Sequence, residues 1–156
     1  MTTATDLPQS NLARYQHVID GRRVEAASGQ RYDSVDPYLG APWASAADGD
    51  EADVILAVAA AGRALGGPWG QLTGFGRAAL MRRLGDLIAR DADRLAEIET
   101  RDTGKLLREM RGQLGTIPQW FSYFSGLADK LEGTTIPGDK PNFLVYTRRE
   151  IGRAHV

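Results

Sequence analysis

The spacing of apolar residues changes at about Asp48, from a period near two to one near 3.6, and the change separates an extended part from the helical part that follows it. Upstream, apolar and polar residues alternate in short runs separated by turn signals, the pattern of half-buried strands. Downstream, apolar residues recur every three or four positions, the period of one helix face. A chain patterned this way is neither all-helical nor all-β. The expectation is an α/β fold in which short antiparallel strands are followed by three or four helices.

In the extended part, His17-Val18-Ile19 and Arg22-Arg23-Val24 flank Asp20-Gly21. That pair accepts the two positive φ values of a type I′ turn, so a hairpin is predicted. Ser28-Gly29, Asp36-Pro37 and Leu39-Gly40 mark further turns between extended runs at 31–35 and 43–46. Residues 1–14 offer little to bury and read as a mobile terminus.

The helical part opens with Asp48 and Glu51, spaced as a capping box, ahead of a stripe of Val54, Ile55, Val58 and Leu65. Gly66-Gly67-Pro68 ends that helix, and Trp69 is expected to plug the following loop onto the core. Thr73 caps a second helix whose face carries Leu80, Leu84, Leu87 and Ile88. A third runs from about Asp91 to Thr103-Gly104. The longest pattern covers 107–131, from Leu107 through Met110, Leu114, Ile117, Phe121, Phe124 and Ala128 to Leu131. Pro118 lacks an N–H, so a kink or restart is expected at 116–118. Beyond Gly133 the prolines imply a loop, and 142–150, with Phe143, Leu144, Val145 and Tyr146, reads as a strand.

Composition removes several function classes. With 19 Lys and Arg against 20 Asp and Glu among 156 residues, no summed field attracts a polyanion, so neither nucleic acid nor an anionic membrane is an expected partner. No stretch approaches the ~18 apolar residues of a spanning helix and the start has no apolar signal core, so a cytoplasmic location is expected. Cysteine is absent, which rules out disulfides, thiolate metal sites and a cysteine nucleophile supplied by these residues.

Gly74-Phe75-Gly76-Arg77-Ala78-Ala79 has the letters of a dinucleotide fingerprint, but turn material rather than a buried strand precedes it, so a plain helix start is the reading. Asp102-Thr103-Gly104-Lys105 resembles the end of a phosphate loop, yet Leu106 stands where Ser or Thr would hold magnesium. His17 and His155 are the only imidazoles, too few and too far apart for a metal cluster. No Gly-x-Ser-x-Gly elbow presents a serine. The carboxylates at 86–99 read as solvated helix faces, and the paired arginines lack interleaved aromatics. Taken alone, the residues give no complete active site.

The ordered string of features is more specific than any one of them. An Ile-Asp-Gly hairpin, an Asp-Pro turn followed by Gly40, Asp50-Glu51-Ala52-Asp53-Val54, Gly67-Pro68-Trp69, the helix at 83–90 and Glu99 to Lys105 occur in sequence. They are followed by Leu127-Ala128-Asp129-Lys130-Leu131-Glu132-Gly133, Ile136-Pro137, Asn142-Phe143 and Tyr146-Thr147-Arg148-Arg149-Glu150. From about residue 15 to 150 this string resembles the amino-terminal portion of the NAD(P)-dependent aldehyde dehydrogenase superfamily. At 151–156 the resemblance gives way to a divergent end.

The resemblance implies that 15–141 form the amino-terminal part of a dinucleotide-binding domain and that 142–150 form the first arm of the strand hairpin through which subunits oligomerise. The family's nucleophilic cysteine, glutamate base, oxyanion-hole asparagine and cofactor lysine lie beyond the matching stretch, so no residue here takes a catalytic or cofactor-binding role. The family uses NAD or NADP, which this chain alone is not expected to bind. By the same resemblance, Val35 through its carbonyl and Asp102 through its carboxylate correspond to binders of a structural monovalent cation, and Thr116 and Trp120 to residues bordering the aldehyde access tunnel. Gly74 replaces the proline usual after the helix cap. The leading expectation is a truncated aldehyde dehydrogenase, inactive by itself. The alternatives are an interaction module that pairs through 142–150 with another copy or a full-length homologue, and a hydrolase built on His17.

Overall fold

Asp20 and Gly21 adopt φ values of 54° and 71°, the pair of positive angles that a type I′ turn demands, and the predicted hairpin follows. The structure, a computed structural model, describes residues 12–150. The expected mobile stretch at 1–11 and the divergent end at 151–156 lie outside the described residues.

Strands β1 (Ala13–Tyr15), β2 (His17–Ile19), β3 (Arg22–Val24), β4 (Arg31–Asp36) and β5 (Ala41–Ala47) precede the helices. β2 and β3 make the hairpin, with His17 opposite Val24. β1, β5 and β4 form a second sheet in that order, β4 antiparallel to β5 and β1 parallel to it. The parallel β1 corrects two expectations, because the strand region is not purely antiparallel and Ala13 and Arg14 belong to a sheet rather than to a terminus. Its anchor is remote in sequence. Arg31 donates through Nη2 to the carbonyls of Tyr15 and Ser45, at 2.8 and 2.7 Å, and through Nε to Ser45 Oγ at 3.0 Å.

Helix α1 (Glu51–Gly66) starts two residues later than its expected capping box. Asp50, not Asp48, accepts from the amides of Ala52 and Asp53, and Asp53 Oδ2 accepts from the amide of Asp50 at 3.1 Å. Asp53 is only 6% exposed and also takes the amide of Ala27 with both oxygens, at 3.0 and 3.1 Å. One carboxylate thus caps the helix and fastens it to the chain leaving β3. A single turn, α2 (Pro68–Gln71), follows, and Trp69 remains 45% exposed rather than plugged into the core.

Helices α3 (Gly74–Arg90), α4 (Ala92–Thr103) and α5 (Leu107–Ser125) form the packed unit. Thr73 Oγ1 accepts from the Gly76 amide at 3.2 Å, the expected cap, and Gly104 closes α4 at φ 75°. Met110 of α5 and Ala96 of α4 are fully buried. Between α3 and α5 the contact is made by small groups. A Cβ on Gly85 would stand 3.1 Å from Phe121 Cβ and 3.4 Å from the Pro118 carbonyl, so the two backbones meet directly.

Helix α5 runs through Pro118 as one element, so no restart occurs, and it stops at Ser125 instead of reaching Leu131. Gly126 ends it by donating to the Tyr123 carbonyl at 3.1 Å, and the following residues turn. The apolar stripes of α1 and α3 have the right period, yet Val54, Ile55, Val58, Leu65, Leu80 and Leu84 are exposed among the described residues. Periodicity reveals a face; it does not reveal what lies against it.

The last pairing joins β6 (Thr135–Ile136) to β7 (Val145–Tyr146), antiparallel, with Ile136 opposite Val145. The predicted strand at 142–150 therefore shrinks to two residues and is one side of a ribbon closed within the chain. The reason is local, for the Phe143 amide donates to the Lys140 carbonyl at 3.2 Å and consumes Asn142 and Phe143 in a turn.

Candidate functional site

Two places carry the candidate residues. The first is the corner where β4 meets the end of α4. A register shift between Ser34 and Val35 marks a β-bulge, and Val35 then lies opposite Pro42, which has no N–H to offer across the ladder. Ser34 Oγ donates to Asp102 Oδ1 at 2.6 Å and accepts from Trp43 Nε1 at 3.0 Å. Trp43 is itself braced edge-on by Tyr15, with ring centroids 6.1 Å apart. A chain of contacts thus runs from β1 through Trp43 and Ser34 to Asp102, placing that carboxylate beside the residue that precedes Val35.

The donor set offered here is a carboxylate and a backbone carbonyl, hard oxygen ligands suited to an alkali or alkaline-earth cation and not to a transition metal. No group of three or more His, Cys, Asp or Glu side chains that could hold a metal ion occurs among the described residues. Ser34 and Trp43 escaped the sequence reading. A lone serine at an alternating strand position carries no signal of a partner 68 residues away.

The second place is the outward side of α5. Gly112, Gln113, Thr116, Ile117 and Trp120 line a groove of about 590 Å³ with Glu109 at one end. It adjoins a second hollow of about 340 Å³ bounded by Thr116, Gln119, Trp120 and Tyr123. Thr116 and Trp120 are thus brought together, one helical turn apart. Thr116 Oγ1 donates back to the Gly112 carbonyl at 3.0 Å. Trp120 is 59% exposed and stacks on Phe124, with centroids 6.2 Å apart and planes at 20°; Tyr123 meets Phe124 edge-on at 5.2 Å.

The glycine-rich start of α3 does not suit a dinucleotide. The turn α2, not a strand, precedes it, and a Cβ on Gly74 would stand 2.8 Å from both the Ala128 carbonyl oxygen and Asp129 Cα. The glycine is there for the close passage of the chain after α5. His17 Nε2 is buried without a hydrogen-bond partner, so it activates no nucleophile through that nitrogen. Exposed neighbour pairs shift one another, for the hydrogen bond between them raises Arg90 and lowers Asp91, and Lys130 lowers Asp129 in the same way.

The elements form a mixed sheet-and-helix unit with a glycine-closed turn between α4 and α5, and the comparisons identify its family. The chain belongs to the aldehyde dehydrogenase family, whose model matches residues 24–154. It is 37% identical to the (Z)-2-((N-methylformamido)methylene)-5-hydroxybutyrolactone dehydrogenase of Acinetobacter baylyi over 89% of this chain and 28% of that protein. Among solved structures it superposes on a putative aldehyde dehydrogenase from Burkholderia cenocepacia with a TM-score of 0.82 and 37% identity, covering 86% of this chain and 28% of the other. For an NAD-dependent aldehyde dehydrogenase from Sinorhizobium meliloti the TM-score is 0.79 and the identity 35%, over 92% of this chain and 29% of the other. The chain therefore spans a little over a quarter of the length of the relatives it matches. No helix among the described residues is long and apolar enough to cross a membrane.

Proposed function

We propose that these residues are the amino-terminal portion of a cytoplasmic, NAD- or NADP-dependent aldehyde dehydrogenase that oxidises an aldehyde to a carboxylic acid, and that they turn nothing over by themselves. The observation that carries this reading is the family match over residues 24–154, combined with coverage of only 28% of the relatives' length. The sequence holds no cysteine, so a thiolate nucleophile and its attack on the aldehyde belong to residues outside this chain. The start of α3 does not fit a dinucleotide, so the cofactor is likewise held elsewhere.

The role left to the chain is positional. The Val35 carbonyl and the Asp102 carboxylate help hold a structural monovalent cation at the β4–α4 corner, with Ser34 fixing the carboxylate. Thr116 and Trp120 border the path of the aldehyde along α5. A chimera in which residues 15–150 replace the corresponding portion of the Burkholderia relative tests the reading. NADH formation from aldehyde is expected from the chimera and none from the chain alone. A folded, correctly assembled chimera with no turnover would sink it.

A second reading, an interaction module, is favoured by the β6–β7 ribbon. Phe143, Leu144 and Tyr146 are exposed there and the paired strands are two residues long. Such a ribbon has free edges to which a second copy, or a full-length homologue, can add a strand. Light scattering on the purified chain, and co-purification with a full-length homologue, would show a complex lost on Val145→Pro; a strictly monomeric chain with no captured homologue would dismiss it.

A further inference from the structure

Asp-Gly occurs twice in the chain, at Asp20-Gly21 and at Asp48-Gly49, and Asn-Gly does not occur. This dipeptide is open to an internal reaction, because glycine puts no side chain in the way when its amide nitrogen turns on the preceding carboxyl carbon. Both pairs are exposed, so exposure does not decide between them. Their surroundings do.

At the tip of the β2–β3 hairpin the Asp20 carboxylate meets only Arg63 of α1, at 3.4 Å, and the two side chains are 68% and 63% exposed. An ion pair so long and so well solvated restrains the carboxylate little. The Gly21 amide makes no hydrogen bond among the described residues, and nothing lies within 4 Å of where a Gly21 Cβ would stand. Asp20 stands at φ 54°, a left-handed value that L-residues adopt at a cost, and the strands on either side are three residues long. Little opposes rotation of Asp20 out of the turn.

The second pair is fastened on both sides. The Asp48 amide donates to the Gln30 carbonyl at 2.9 Å, and the Asp50 amide donates to Asp53 Oδ2 at 3.1 Å. A Cβ on Gly49 would stand 3.1 Å from His17 Cε1 and Nε2, so the main chain there lies against the imidazole. The Gly49 nitrogen cannot swing toward the Asp48 carboxyl without breaking these contacts.

We propose that Asp20 is a site of spontaneous isoaspartate formation in the folded chain and that Asp48 is protected. The Gly21 nitrogen attacks Cγ of Asp20, a C–N bond forms, and the carboxyl oxygen leaves as water with the amide proton, closing a succinimide. Water then adds to one of the two ring carbonyls. Opening at the former main-chain carbonyl routes the backbone through Cβ and Cγ, and leaves the free carboxylate directly on Cα. The loop gains one main-chain carbon, which a two-residue type I′ turn between Ile19 and Arg22 does not accommodate, and the shortened carboxylate no longer reaches Arg63.

The test is ageing of the full chain in neutral buffer, with and without denaturing urea. Peptide mapping and methyl incorporation by an isoaspartyl methyltransferase locate the product. In the folded chain, isoaspartate at 20 is expected at least ten-fold ahead of 48, and in urea the two should agree within two-fold. Asp20→Asn should convert faster, losing ammonia and gaining water, while Asn in the folded Asp48→Asn chain should persist. No isoaspartate at 20 in the folded chain, or equal conversion at both positions there, would overturn the proposal.

Discussion

Ser34 on β4 donates a 2.6 Å hydrogen bond to Asp102 at the end of α4, a contact that closes 68 residues of chain. The same hydroxyl accepts from Trp43, so one small side chain joins the sheet to the helical unit. Ser34→Ala removes the partner of both groups. A bond to a carboxylate is worth more than a neutral one, but this one is exposed, and the expected loss is about 1 kcal/mol. The urea midpoint measures it, and a variant indistinguishable from wild type would mean that the corner is held by packing alone.

Asp53 accepts amides from both Ala27 and Asp50 while nearly buried. Asp53→Ala strands those donors and removes one half of the capping box. The expected cost is about 2–3 kcal/mol, combining a cap with unsatisfied buried amides. Asp53→Asn keeps one acceptor oxygen and should lose about half as much. Equal stability of the two variants in urea unfolding would contradict this account.

Gly104 sits at φ 75°, with Pro37 Cβ 3.1 Å from where a side chain would begin. Gly104→Ala is expected to destabilise by about 1–2 kcal/mol from left-handed strain, with crowding against Pro37 in addition. Gly115 lies within α5 with nothing near its missing Cβ, so Gly115→Ala should stabilise by about 0.5–1 kcal/mol. Opposite signs in thermal unfolding are the outcome to look for.

The Asp91 carboxyl lies below the ordinary carboxylate range, chiefly because Arg90 hydrogen-bonds to it, against a smaller opposing effect of desolvation, and with added attraction from Arg90 and Arg94. A carboxylate whose folded pKa is depressed contributes stability that is present above the unfolded value of about 3.9 and lost as pH falls through the folded value. Asp91 makes no capping hydrogen bond through its side chain, so Asp91→Asn removes this charge effect without removing a cap bond. The variant should show a shallower acid limb below about pH 4 and little change at neutral pH. Parallel pH profiles would refute the assignment.

What the sequence made legible was local. Asp20-Gly21 specified a turn, Thr73 a helix start, and Thr103-Gly104 a helix end, because each acts on its own few residues. The long α5 pattern located Met110 correctly, since the buried face recurs within one element. Features decided by distant partners were hidden. β1 needed Arg31 to hold it, the cap moved from Asp48 to Asp50 because Asp53 had a second partner in Ala27, and 142–150 shortened because Lys140 captured Phe143. At the candidate site the same division holds. Thr116 and Trp120 share a helix face that spacing reveals, whereas Asp102 depends on Ser34, which no motif marks.

Direct backbone contact at Gly85 has a consequence for the order of folding. The contact there, between α3 and α5, closes 36 residues from Gly85 to Phe121, while docking the sheet onto α4 closes 68 residues between Ser34 and Asp102. Long closures cost more entropy and come later. The helical unit is thereby the foundation laid first, and the β4–α4 corner is a seam that opens ahead of it. Native-state hydrogen exchange should find the Met110 amide protected through global unfolding and the strand amides of β4 released at a lower free energy.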